Sequence, residues 1–135
     1  MGGYAGRERR EYLRYRYDKP MKFSLLSAVN SGGSGSELAK AMSRDLSASG
    51  ILFSAARKDA PKIGSVVVLD LDYRTAAICS EVDERALILD NKLIGRVVRL
   101  EDNGNDTFDV GVAFVTKTDP ISKNVRKIED LVRKV

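Results

Sequence analysis

The chain has 135 residues, enough for one domain around one core, and its 43% hydrophobic and 31% charged residues match an ordinary soluble globular protein. No apolar run approaches the ~20 residues of a membrane span, and no secretory h-region opens the chain, so a cytoplasmic location is expected. A single cysteine, Cys79, and no histidine exclude an intrachain disulfide and a Cys/His zinc site and remove the commonest general base. With no credible nucleophile and no clustered metal ligands, neither an enzyme nor a metal or cofactor is expected.

Charge is distributed unevenly along the chain. Residues 1–22 carry a net charge of +4, residues 23–116 of −3 and residues 117–135 of +3. An acidic body with two basic ends suits an anionic partner, although a basic terminus taken by itself is more often a solvated tail.

Residues 1–19 read as a flexible basic arm without core periodicity, in which Tyr4, Tyr12, Tyr15 and Tyr17 stand among arginines. Residues 20–135 read as the folded body. Pro20 ends any preceding helix, and Met21, Phe23 and Leu25 alternate as a strand does. Asn30 to Ser36 has the composition of a flexible linker. Leu38 to Arg44 favours helix by composition but runs straight into Asp45, so helix and short strand both stay open. Strands are predicted at Ile51 to Ser54, within Gly64 to Tyr73, at Ala76 to Val82, and at Leu93 to Glu101. Cys79 is expected to be buried in the third of these. Asp102-Asn103-Gly104-Asn105-Asp106 carries a hairpin signal before the strictly alternating Phe108, Val110, Val112 and Phe114. The period then changes. Ile121, Val125, Ile128, Leu131 and Val132 lie at helical spacing, with Asp119 as N-cap and Pro120 at the first helical position, predicting a helix over about 118–134. Short antiparallel strands and one terminal amphipathic helix point to a small β-barrel with a helix packed on it.

Two motifs carry the chemistry. Arg10-Glu11-Tyr12-Leu13-Arg14 is R-x-x-x-R, and Asp45-Leu46-Ser47-Ala48-Ser49-Gly50 is D-x-S-x-x-G. Arginine forks grip phosphate oxygens or the O6 and N7 edge of guanine. A carboxylate accepts from a guanine N–H edge, a hydroxyl donates to phosphate, and a glycine permits close backbone approach. Residues i and i+4 share a face in strand and helix alike, so Arg10 and Arg14 can reach one ligand. The plainer alternative is that Asp45 and Ser47 only satisfy a turn. Arg96 and Arg99 alternate with valines and are expected on a solvated strand face, and the arm tyrosines either stack on a base or pack at the surface.

These motifs, in this order, resemble the PilZ domain family. Arg9-Arg10-x-x-x-Arg14 resembles its arginine arm and Asp45-x-Ser47-x-x-Gly50 its second motif. Gly95-Arg96-Val97-Val98-Arg99 and Val110-Gly111-Val112-Ala113-Phe114 resemble its late strands. The resemblance implies an all-β fold, a six-stranded antiparallel barrel with a C-terminal α-helix, in a bacterial receptor for the second messenger cyclic diguanylate (c-di-GMP). It further implies that Arg10 and Arg14 bind guanine edges and phosphates, Asp45 accepts from a guanine, Ser47 meets a phosphate or guanine, and Gly50 keeps the turn tight. Arg9, just before R-x-x-x-R, implies an intercalated c-di-GMP dimer rather than one ligand. The implied output is a change of shape passed to an effector protein. Two other functions compete: a barrel binding single-stranded nucleic acid, disfavoured by the acidic body, and a PilZ-like protein-interaction module without ligand.

Overall fold

Alternation of apolar and polar side chains builds the wall of the molecule. The computed structural model describes residues 14–26, 39–76 and 78–121. Eight strands are found among them: β1 (Tyr15–Arg16), β2 (Pro20–Leu25), β3 (Ala39–Leu46), β4 (Gly50–Ala56), β5 (Val66–Asp70), β6 (Ile88–Leu89), β7 (Lys92–Asp102) and β8 (Thr107–Phe114). Six of them close a ring in the order β3, β2, β5, β7, β8, β4 and back to β3, every pair antiparallel. Closure leaves no long unpaired edge. The fold is therefore the six-stranded antiparallel barrel expected. Leu38 to Arg44, left open between helix and strand, lies largely in β3.

Inward-facing Phe23, Leu46, Ile51, Phe53, Leu69, Leu93, Val97, Val110 and Val112 form the buried interior. A second buried cluster, Val68, Leu87, Leu89, Ile94 and Val115, has Ile121 packed against it. This explains why Val66 to Leu69 reads as an unbroken apolar run, since the strand is covered on both faces. β6 turns back onto β7 through Asp90 and Asn91, both at positive φ (52° and 62°), which a two-residue hairpin turn requires.

Three features differ from expectation. The segment read as a strand at Ala76 to Val82 instead enters helix α1 (Cys79–Arg85) after a 3-10 turn at Tyr73–Thr75. Ile78, Val82 and Ala86 are all buried, a spacing of four that a reading by alternation overlooks. Cys79 is accordingly half-buried on a helix. Tyr17 is only 9% exposed and belongs to the core, and its hydroxyl donates to the Asp72 carbonyl. β1 pairs with β3 just beyond the stretch of β3 that pairs with β2. Lys19 N–H donates to Ser43 Oγ at 3.0 Å, which ties the intervening residues to β3. Asp119 Oδ1 accepts the Ile121 N–H at 3.0 Å, as an N-cap does. The rest of the expected terminal helix, residues 122–134, lies outside the described residues. No described helix is long and apolar enough to cross a membrane.

Tyr73 anchors α1 to the barrel. Burial, then its hydrogen bond to Asp83, pushes the phenol up from 10.0 to about 12. A raised pKa in the folded state means that this stabilisation is complete below the ordinary tyrosine pKa and is lost as pH rises through the folded value. Denaturant midpoints are therefore expected to fall between roughly pH 10 and pH 12, with Tyr73→Phe removing that contribution to the decline.

Candidate ligand-binding site

The D-x-S-x-x-G motif folds into the tight turn between β3 and β4. Ser47 N–H donates to the Gly50 carbonyl at 2.9 Å, and Gly50 N–H donates to Ser47 Oγ at 3.2 Å. Ser49 N–H lies 3.3 Å from the same oxygen. The Ser47 side chain is buried, with 1% of the residue exposed, so its hydroxyl is occupied by the turn. Ser47→Ala leaves the Gly50 N–H without its partner, and a buried unsatisfied donor costs about 1–3 kcal/mol. Equilibrium urea unfolding is expected to show a loss of that size with an unchanged m-value. Gly50 is needed for a different reason. A Cβ there would stand 2.3 Å from the Val112 carbonyl oxygen, so β4 and β8 approach closely only because position 50 has no side chain.

A bulge between Ser43 and Asp45 shifts the β3–β4 register, and Asp45 lies opposite Leu52. Bulges re-aim side chains in this way. Asp45 projects to the outer face, where its carboxylate accepts from Arg14 Nη1. The side chains are 55% and 27% exposed, so this ion pair is worth no more than ~1 kcal/mol and opens at little cost. Arg14 and Asp45 stand between two concavities. One, about 240 Å³, is lined by Arg14, Asp45, Ser49, Gly50, Leu52, Val98, Arg99 and residues 111–113. The other, about 320 Å³, is lined by Arg14, Arg16, Asp18, Arg44, Asp45 and Leu52. A larger hollow of about 620 Å³ near Pro20 and Met42 shares no residue with either.

Residues 8–134 match the PilZ domain signature. The chain belongs to the PilZ domain family. PilZ domains are in general c-di-GMP receptors that act on effector proteins, binding modules rather than enzymes. The fold agrees. The structure of the Bacillus subtilis inhibitor of motility (MotI/DgrA) superposes with a TM-score of 0.52 at 13% identity. That superposition covers 93% of this chain and 51% of the other, so the chain spans about half the length of that protein. No curated protein matches the chain.

On this PilZ barrel Arg14, Asp45 and Gly50 come together around one patch of the outer face, with Ser47 beneath it. Arg9 and Arg10 lie outside the described residues. The two late arginines part company. Arg96 makes a two-pronged bridge to Asp119 at 2.7 and 3.2 Å, which anchors the residues after β8. The bridge holds the Asp119 carboxyl below the usual range. Arg99 instead lines the 240 Å³ concavity. Ser49, Val98 and Gly111 also line it. All three lie within the sequence motifs, but none was singled out: Ser49 is carried by the turn itself, while Val98 and Gly111 reach the site only when β7, β8 and β4 pair. Behind this patch, burial would raise the Asp109 carboxyl. Hydrogen bonds from Asn103 and Ser54, with the Arg44 and Arg99 charges, outweigh that and hold it below the carboxylate range.

Proposed function

We propose that this PilZ domain binds c-di-GMP on the outer face of the barrel and passes the signal to an effector protein. The observation that carries the reading is the contact of Arg14 with Asp45 beside Gly50, one residue from each family motif meeting across 31 positions of sequence. Arg14 turns from Asp45 to a phosphate or guanine edge. Asp45 accepts from a guanine N–H, and Ser47 acts by holding the turn that presents Ser49 and Gly50. Arg10, four positions before Arg14, supplies the second fork of R-x-x-x-R. Exchanging a weak exposed ion pair for charge-assisted hydrogen bonds of ~1.5–3 kcal/mol each favours the bound state.

Calorimetric titration tests the reading. c-di-GMP is expected to release or absorb heat and raise the melting temperature, whereas GTP and linear diguanylate do neither at the same concentration. A hundredfold excess of ligand over Kd stabilises the fold by ~2.7 kcal/mol. Absence of both heat and thermal shift with c-di-GMP would reject the proposal. The nucleic-acid alternative has less support, because Phe23, Phe53 and Phe114 are buried, and among the described aromatic residues Tyr15 is the exposed one, too few rings to stack successive bases.

Arg9, just before R-x-x-x-R, favours two ligand molecules per chain. A stacked second c-di-GMP brings two further negative charges, and Arg9 is a further fork to meet them. Titration is expected to give a ratio of two for the wild type and closer to one for Arg9→Leu. High salt should weaken the second binding event more than the first. A wild-type ratio of one at saturation would exclude the dimer.

A further inference from the structure

Strands β3, β4, β8 and β7 lie side by side, and the two outer ones of this group each carry a bulge. The one in β3 turns Asp45 outward. The one in β7, between Val97 and Arg99, shifts the pairing so that Val97 lies opposite Val112 and Arg99 opposite Gly111. Val98 and Arg99 are both exposed as a result, and Val98 is 57% exposed, unusual for a valine in the middle of an eleven-residue strand. Across the ground between the bulges the register runs Asp45, Leu52, Gly111, Arg99, so Leu52 is the one large side chain there, flanked by Gly50, Gly111 and Ala113. The stem of Arg99 lies over Gly111, where an added Cβ would stand 3.1 Å from Arg99 Cβ. The Arg99 side chain is 66% exposed and, among the described residues, its guanidinium is held by Glu101, Nη2 to Oε1 at 3.3 Å, with the Asp109 charge nearby.

From this geometry we infer that Arg99 is a third base-reading arginine, and that Glu101 holds it in reserve until ligand arrives. The inference rests on the c-di-GMP reading of the site and adds to it a determinant of base specificity. A concavity of about 240 Å³ is smaller than the ~300–1,000 Å³ that encloses a drug-sized ligand. It accommodates one base of a dinucleotide rather than the whole. An apolar floor of Leu52 with glycine and alanine beside it, and Val98 at its side, suits the face of a purine. Asp45 on one border, an acceptor, matches the N–H edge of guanine. Arg99 on the opposite border, donor-only, matches the two acceptors O6 and N7. Adenine presents an amino donor where guanine presents O6, so the same arginine opposes adenine.

Arg99→Ala, Arg99→Lys, Arg99→Gln, Glu101→Gln and Arg14→Ala would be titrated with c-di-GMP and with cyclic diadenylate, each after a thermal melt to establish folding. Arg99→Ala is expected to weaken c-di-GMP about tenfold or more, the scale of one lost two-pronged base contact. Lysine keeps the charge without the fork and should bind as weakly as alanine. Glutamine pairs with adenine's N6 and N7, so Arg99→Gln should narrow the preference for guanine over adenine. Glu101→Gln should tighten c-di-GMP binding a few-fold in the wild type and not in the Arg99→Ala background. Binding within twofold of wild type for Arg99→Ala, while Arg14→Ala is impaired, overturns the role of Arg99 and leaves the receptor reading intact. Full affinity in Arg99→Lys overturns the base-edge contact. A wild-type protein that binds neither dinucleotide overturns both.

Discussion

Arg14→Ala is expected to weaken c-di-GMP binding by about 3 kcal/mol or more, a loss of at least about a hundredfold. The side chain offers a planar fork, and removing it forfeits two charge-assisted hydrogen bonds to phosphate or guanine together with a positive charge opposite a dianion. The free protein should hardly notice. Among the described residues Arg14 makes an exposed ion pair with Asp45, worth ~1 kcal/mol at most. Titration calorimetry and thermal melts of the same samples separate the two effects. An Arg14→Ala protein that binds normally, or that no longer folds, would show that the arginine is not a ligand group. Arg10→Ala is expected to behave in the same way. Asp45→Ala is less clean, because Asp45 also sits in the bulge that leads into the turn.

Gly50→Ala is expected to damage the fold itself. The new methyl would meet the Val112 carbonyl oxygen at 2.3 Å, and a backbone atom inside a closed barrel cannot step aside alone. β4 and β8 must move apart or the turn must distort, at the ~1–3 kcal/mol or more typical of overpacking. For a domain of this size that lowers the melting temperature by several degrees. Ligand affinity should fall as well, since the displaced strands carry the floor of the concavity. Ser49→Ala is the control for stability alone, for its side chain is half-exposed and, among the described residues, makes a hydroxyl contact to Ser47. A Gly50→Ala protein with an unchanged melting temperature would refute the close approach of the two strands.

The strands of this barrel were legible where they alternate. Phe108 to Phe114 and Met21 to Leu25 each have one covered and one open face, and period two is what such a surface imposes. The motifs were legible too, because Arg14 and Asp45 belong to local patterns that can be read without knowing their partners. The reading failed where context overrides pattern. Ile78, Val82 and Ala86 lie among charged residues in a stretch with no cap signal, and only the barrel surface beneath them makes their spacing of four decisive. Tyr17 stands in a charged arm and carries no periodicity, so its burial depends on a groove that other strands create.

From sequence alone came the barrel class, the membership of Arg14, Asp45, Ser47 and Gly50 in motifs suited to a guanine dinucleotide, and the uneven charge. All of these are properties of residue type and short-range spacing. Tertiary structure decided which motif residues meet and how. It sent Arg96 to Asp119 and Arg99 to the concavity: alternation alone would turn Arg99 inward with Val97, but the bulge between Val97 and Arg99 sets Arg96 opposite Ala113 and Arg99 opposite Gly111, so both stay on the outer face. It also turned the Ser47 hydroxyl into the turn and left Ser49 at the rim. A side chain's face depends on strand register, and register is set by pairing with strands distant in sequence, so no local pattern contains it.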